Sequence, residues 1–117
     1  MSMESELTTL LKTVCSRTFP DVAPSGTAAP FIAWQALGGE SLRYLDNTAP
    51  DKRNTYMQVS VYSKTRAEAL ALIRAAESAM CASPAIIVKP QGEPISSYED
   101  GTQLYGSIQR FSIWAAR

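Results

Sequence analysis

At 117 residues the chain has the size of one domain, and no internal repeat or break in composition divides residues 1–117 further. With 45% apolar residues it has enough to build a core without metal or disulfide staples. Eleven basic residues against eleven acidic ones give a formal charge of zero, which excludes the cationic excess of a generic nucleic-acid binder and leaves little self-repulsion to oppose self-association.

Residues 3 to 17 place Leu7, Leu10, Leu11 and Val14 at i, i+3, i+4 and i+7, the apolar stripe of an amphipathic helix. Ser2 is positioned to cap it. Glu4 and Glu6 fall in the first turn and Lys12 and Arg17 toward the last, each favourable to the helix dipole. From Thr18 to Pro30, three prolines and a glycine exclude regular helix and central strand, which predicts an extended connector. Pro30 then holds Ala29 extended and launches a strand over Phe31–Leu37, ended by Gly38-Gly39. Alternation puts Phe31, Ala33, Gln35 and Leu37 on one face and Ile32 and Trp34 on the other. Apolar groups on both faces predict a strand covered on two sides.

Gly38 to Arg53 is the most loop-like stretch, with Gly-Gly, Asp-Asn, a proline and six charged residues. Its length predicts an exposed arm or open hairpin that another chain orders, and Arg43, Tyr44, Lys52 and Arg53 are its candidate contacts. A strand follows over Asn54 to Ser63. Met57, Val59 and Val61 share the face expected to meet the helices, while Tyr56, Gln58, Ser60 and Tyr62 share a polar, aromatic face of the kind enriched at partner surfaces. Tyr56 and Tyr62 therefore join the candidate interface.

Thr65-Arg66-Ala67-Glu68 is a capping box, with the threonine accepting from the backbone of Glu68 and the glutamate reaching back. The helix it opens carries Ala69, Leu72, Ile73, Ala76 and Met80 on its apolar side and ends around Cys81-Ala82-Ser83-Pro84. Ala85–Lys89 reads as a short strand, Pro90–Pro94 as a turn or sheet margin, and Ile95–Tyr98 as one more short strand. After the turn Glu99-Asp100-Gly101, the chain from Leu104 to Arg117 reads as one long strand rich in aromatic and β-branched residues. Only Asn54–Ser63 matches it in length and character, so these two are expected to pair at the centre of an antiparallel sheet. The order of elements describes an α+β domain: a mainly antiparallel β-sheet with two α-helices packed on one face.

Chemistry is scarce. The chain has no histidine, which removes the commonest general base, the Ser-His and Cys-His pairs and the commonest zinc ligand. Gly38-Gly39 is not followed by a capped helix, so it is no phosphate loop, and the carboxylates are scattered. Cys15 and Cys81 fit no metal or redox spacing and are expected to be buried free thiols in a reducing cytoplasm. No catalytic, cofactor-binding or metal-binding residues are expected, and the chain is not expected to be an enzyme. Tyr56 and Tyr62 could stack bases, but without a basic surround no sequence-specific nucleic-acid partner is expected. With no signal-type apolar stretch and no run near ~20 apolar residues, a soluble protein without a membrane partner is expected.

Three segments carry a resemblance. Pro30-Phe31-Ile32-Ala33-Trp34-Gln35, then Gln58 through Ala69, and last Leu104 through Trp114 occur in the order and spacing of the small tail-completion proteins of long-tailed bacteriophages and prophages. The chain resembles tail-terminator or head-to-tail joining proteins over nearly its whole length. Arg110 departs from the pattern, which has an acidic residue before Phe-Ser-Ile-Trp, so no ion pair is carried over at that position. The resemblance implies helices on one side of an antiparallel sheet and a structural role, completing the tail tube and joining it to the head connector. It also implies a homo-oligomer, often a ring of six subunits, which contacts the tail tube protein and the connector. Such a protein assembles in the host cytoplasm and resides in the virion at the head-tail junction. The alternatives are a minor tail or baseplate component, or a small-molecule or nucleic-acid binding module.

Overall fold

The computed structural model describes residues 2–41, 43, 45–47 and 51–116. In chain order the elements are α1 (Met3–Val14), β1 (Thr18–Pro20), β2 (Phe31–Ala36), β3 (Lys52–Ser63), α2 (Arg66–Ala82), β4 (Ile87–Pro90), β5 (Ile95–Glu99) and β6 (Leu104–Ala116).

The two long strands form the axis of the sheet. β3 and β6 pair antiparallel from Lys52↔Ala116 to Ser63↔Tyr105, without interruption. β2 lies antiparallel on the other side of β3, and β1 pairs parallel with β2 at that edge. On the far side of β6, β4 and β5 follow one another along the same edge. Pro90 faces Phe111 and Ile95 faces Ile108, so Gln91 to Pro94 oppose only Gln109 and Arg110 and bulge out of the ladder. The architecture is the expected α+β one.

Both helices lie on one face. Directly paired residues share a face, so Ile32, Trp34, Met57, Val59, Val61, Phe111 and Ile113 point together toward Leu7 and Leu11 of α1 and Ile73, Ala76 and Met80 of α2. Most of these side chains have no solvent exposure. Each large one contributes about 1.5–3 kcal/mol by leaving water.

The helix ends are set locally. Ser2 accepts from the Ser5 backbone N–H at 3.1 Å, and Thr65 accepts from that of Glu68 at 3.2 Å. Here the capping-box expectation needs a correction. The Glu68 carboxylate takes the hydroxyl hydrogen bond of Ser63 rather than reaching back to Thr65. Ser63 is fully buried under the start of α2, and its hydroxyl gains more from a charged acceptor than the exposed cap does.

Four further expectations are corrected. The connector contains a strand, β1, of three residues at the sheet edge, ended by Pro20 and the positive φ of Asp21. Arg17 falls beyond α1, where its Nε donates to the Pro30 carbonyl at 2.9 Å. β2 is fully covered on one face only: Ile32 and Trp34 are buried, but on the other face Phe31 and Ala33 are half-buried, Gln35 is exposed and Leu37 lies past the strand end. Cys15 is buried as expected, whereas Cys81 is exposed because it sits on the outer side of the last turn of α2.

Candidate functional site

The face of the sheet away from the helices is left to solvent over much of its length. Alternation brings Gln35, Tyr56, Gln58, Arg110, Ser112 and Lys89 onto it. Arg110, which stands where the resemblance expects an acidic residue, donates from Nε to Gln58 Oε1 at 3.4 Å, a cross-strand pair in direct register. Tyr56 donates its hydroxyl to Glu40 Oε1 at 3.1 Å. That hydrogen bond, then partial burial, then the carboxylate charge hold the phenol above its ordinary pKa.

At one end of this face the arm begins. Beyond β2 the chain keeps pairing with β3: the Leu37 N–H donates to the Tyr56 carbonyl and the Tyr56 N–H to the Gly38 carbonyl, each at 2.7 Å. Asn54 then accepts the Glu40 N–H at 2.9 Å. Gly39 is required there, since an added Cβ would collide with the backbone of Asn54 and Thr55.

Lys52 and Arg53 lie in β3, a correction to their expected place in the loop, because cross-strand pairing with Ala116 and Ala115 outweighs the low strand propensity of charged residues. Their side chains alternate, Lys52 to the open face and Arg53 to the helix side. With Arg43 they border one shallow concavity of about 290 Å³ closed by Gly39, Glu40 and Asn54. Among the described residues, the side chains of Arg43, Lys52 and Arg53 make no ion pair or hydrogen bond. Tyr44 lies outside the described residues.

Tyr62 is brought to the opposite end. Its ring packs on Phe31 with 5.2 Å between centroids, and Gly106 beneath it leaves room for the ring. A groove of about 620 Å³ opens beside this pair. Residues 21–29 wall one side, held by the Asp21 N–H donating to the Trp34 carbonyl at 2.7 Å and by a tight Pro24–Thr27 turn; Glu99, Thr102 and Leu104 close the other. The six sequence candidates therefore do not form one site. Arg43, Lys52, Arg53 and Tyr56 gather toward the arm end, and Tyr62 lies farther along β3, about 20 Å from Tyr56 and about 30 Å from Arg53. The groove was missed in the sequence, where its wall reads as a connector; the cluster of small residues and prolines was the available signal.

No helix of the described residues is long and apolar enough to cross a membrane, and among them no group of three or more His, Cys, Asp or Glu could hold a metal ion. The sequence model of the family described as Tail completion protein gp17 matches residues 2–116. The chain belongs to this family. It is accordingly a structural component of phage tail completion, a non-enzymatic kind of protein whose place is the virion tail. Comparison with curated proteins gives no match.

Proposed function

We propose that this tail completion protein closes the tail tube as a ring of identical subunits, six by the family resemblance, and joins the tube to the head connector. Assembly takes place in the host cytoplasm before the tail meets the head. One observation supports this reading above all: the helices bury one face of the sheet and leave the other open, with Tyr56, Gln58 and Arg110 displayed in register. An open strand face with aromatic and arginine side chains has the composition of protein interfaces. Arg43, Lys52 and Arg53 at one end and Tyr62 at the other are proposed contact residues, with Tyr44 a further candidate from the sequence.

The test is the mass of the purified protein over a concentration series, by sedimentation or light scattering, with and without assembled tail tubes. A ring-sized species, free or only on tube ends, is the expected result. A monomer that ignores tube ends at every concentration overturns the ring. Alanine at Arg43, Lys52 and Arg53 together is expected to lower tail completion, and unchanged assembly removes them from the interface.

A further inference from the structure

The arm and the groove differ in what they lack. Leu45 is fully exposed on the arm. The groove at the other end of the sheet has an apolar floor and wall, formed by Val22, Pro24, Ala28, Phe31 and Leu104, and Val22 is itself 76% exposed. An exposed leucine and an open apolar groove on one molecule are complementary surfaces.

They cannot meet within one chain. The root of the arm is fixed where Glu40 bonds to Asn54, and the groove lies at Tyr62, eight residues along β3, or about 27 Å at the usual rise per strand residue. Five residues from Glu40 to Leu45 span at most about 18 Å when fully extended. β2 also delivers the arm in the direction away from the groove, because it runs from Phe31 at the groove to Ala36 at the arm. An arm that enters the groove therefore belongs to another molecule.

Charge selects which molecule. The arm and its root carry Arg43, Lys52 and Arg53, which make no ion pair among the described residues, beside the carboxylates Glu40, which accepts the Tyr56 hydroxyl, and Asp46; the rim of the groove carries the carboxylates of Asp21 and Glu99. Lys64, on the same rim, has a counterpart in Asp51 beside the root. Apolar and charged features thus match between the two ends of one chain, as a second copy placed head to tail would use them. A head-to-tail contact leaves one arm and one groove free on every dimer, so it propagates until a rotation closes it.

We infer that the arm of one subunit docks in the groove of the next, with Leu45 as its apolar anchor and the arm cations facing Asp21 and Glu99. This contact rests on the proposed ring and names the surfaces that close it. Leu45 leaves water only on assembly, so replacing it acts on association and not on folding.

The experiment uses two full-length variants, L45C and V22C, each with one exposed cysteine, in a C81S background that removes the exposed native thiol and keeps the buried Cys15. Each is mixed with the other, or kept alone, under mild oxidation with and without tail tubes. A disulfide requires Cβ atoms about 4 Å apart, so the cross-link reports close approach. The expected result is hetero-disulfide dimers in the mixture, well above either variant alone, and a ladder up to ring size when both cysteines are on one chain. L45D, with unchanged circular dichroism and melting, is expected to raise the concentration needed for assembly about ten- to a hundredfold. If rings form but the hetero-disulfide does not, and L45D assembles like the wild type, the arm-in-groove contact is overturned while the ring stands. Cross-linked dimers that never exceed a pair keep the contact and remove the ring. If the wild type stays monomeric on tube ends, both are overturned.

Discussion

Asn54 Oδ1 accepts the backbone N–H of Glu40 at 2.9 Å, and this bond fastens the root of the arm to the beginning of β3. The same side chain donates from Nδ2 to Ser112 Oγ at 2.8 Å and to the Ile113 carbonyl at 3.3 Å, so one amide ties the arm, β3 and β6. Asn54→Ala leaves the Glu40 N–H and the Ile113 carbonyl without these partners. Each such loss costs about 1–3 kcal/mol where water cannot replace the partner. Because the root is only partly buried, a total near 2 kcal/mol is expected. Thermal denaturation followed by circular dichroism checks it: a drop of several degrees is expected. A melting point equal to the wild type means that the arm is held by its backbone bonds alone.

Gly39 and Asn54 are expected to be coupled. A Cβ on Gly39 would lie 3.0 Å from Thr55 Cα and closer still to the Asn54 carbonyl, both of them backbone atoms that cannot rotate away. Gly39→Ala must therefore push the root off β3 and lengthen the Glu40–Asn54 bond. In a double-mutant cycle the two substitutions should be less than additive, since either one already frees the root. Full additivity of their unfolding free energies would separate the two effects.

The central strand pair and both helices were legible in the sequence because their signals are local. Ser2 and Thr65 mark helix starts, Ala69, Ile73, Ala76 and Met80 repeat at helical spacing, and Met57, Val59 and Val61 alternate against Phe111 and Ile113. What was hidden depends on partners far away in sequence. β1 exists only because Thr18, Phe19 and Pro20 find Ile32, Ala33 and Trp34 alongside. Phe31 looked as though a second layer should cover it, yet it is satisfied by the Tyr62 ring on the same face. Lys52 and Arg53 looked like loop because charged residues seldom start strands, and here β6 simply extends far enough to pair them. The aromatic face with Tyr56 and Tyr62 was legible from alternation, but the groove beside Tyr62 was not, since its walls come from three separate segments.

Tyr56 offers a titration that reports on the arm. Its phenol is held above the ordinary 10.0 first by the hydrogen bond to Glu40, then by burial, then by the charge of that carboxylate. A raised folded-state value means that the folded chain keeps this proton more tightly than the unfolded chain. The stability linked to it is fully present below the unfolded value and is lost as the pH rises above 10.0 through the folded value. Phenolate absorbance of the wild type minus that of Tyr56→Phe should give a midpoint above 10.0. Glu40→Gln removes the charge and weakens the acceptor, so the midpoint should move down. An unmoved midpoint means that Glu40 does not face Tyr56 in solution.

Cys81 is exposed, but it should be a slow thiol. Burial of its sulfur first, and the carboxylate of Glu77 second, push its pKa above the usual thiol value. The thiolate is the reactive form, so alkylation near neutral pH should run slower than for a free thiol of ordinary pKa. Glu77→Gln is expected to speed it, while Cys15, buried beneath the Arg17 and Pro30 carbonyls, should react only on unfolding. Mass-resolved labelling with iodoacetamide separates the two sites. Faster labelling of Cys15 than of Cys81 would contradict the packing of α1.

Gln109 tests whether a buried amide in β6 stabilises the fold or only shapes it. Its Nε2 donates to the Gly92 carbonyl in the bulge at 2.9 Å and to Glu77 Oε1 on α2 at 3.3 Å, yet its Oε1 is buried without a partner. The two bonds favour glutamine, and the orphaned acceptor opposes it. Gln109→Leu removes all three at similar volume, so the gains and losses should nearly cancel, within about 1 kcal/mol. Gln109→Ala also opens a cavity between Val59 and α2 and should cost about 2–4 kcal/mol. Urea denaturation ranks the two variants. If leucine proves as damaging as alanine, the hydrogen bonds to Gly92 and Glu77 dominate the site, and the bulge between β4 and β5 is then held in place by this one side chain.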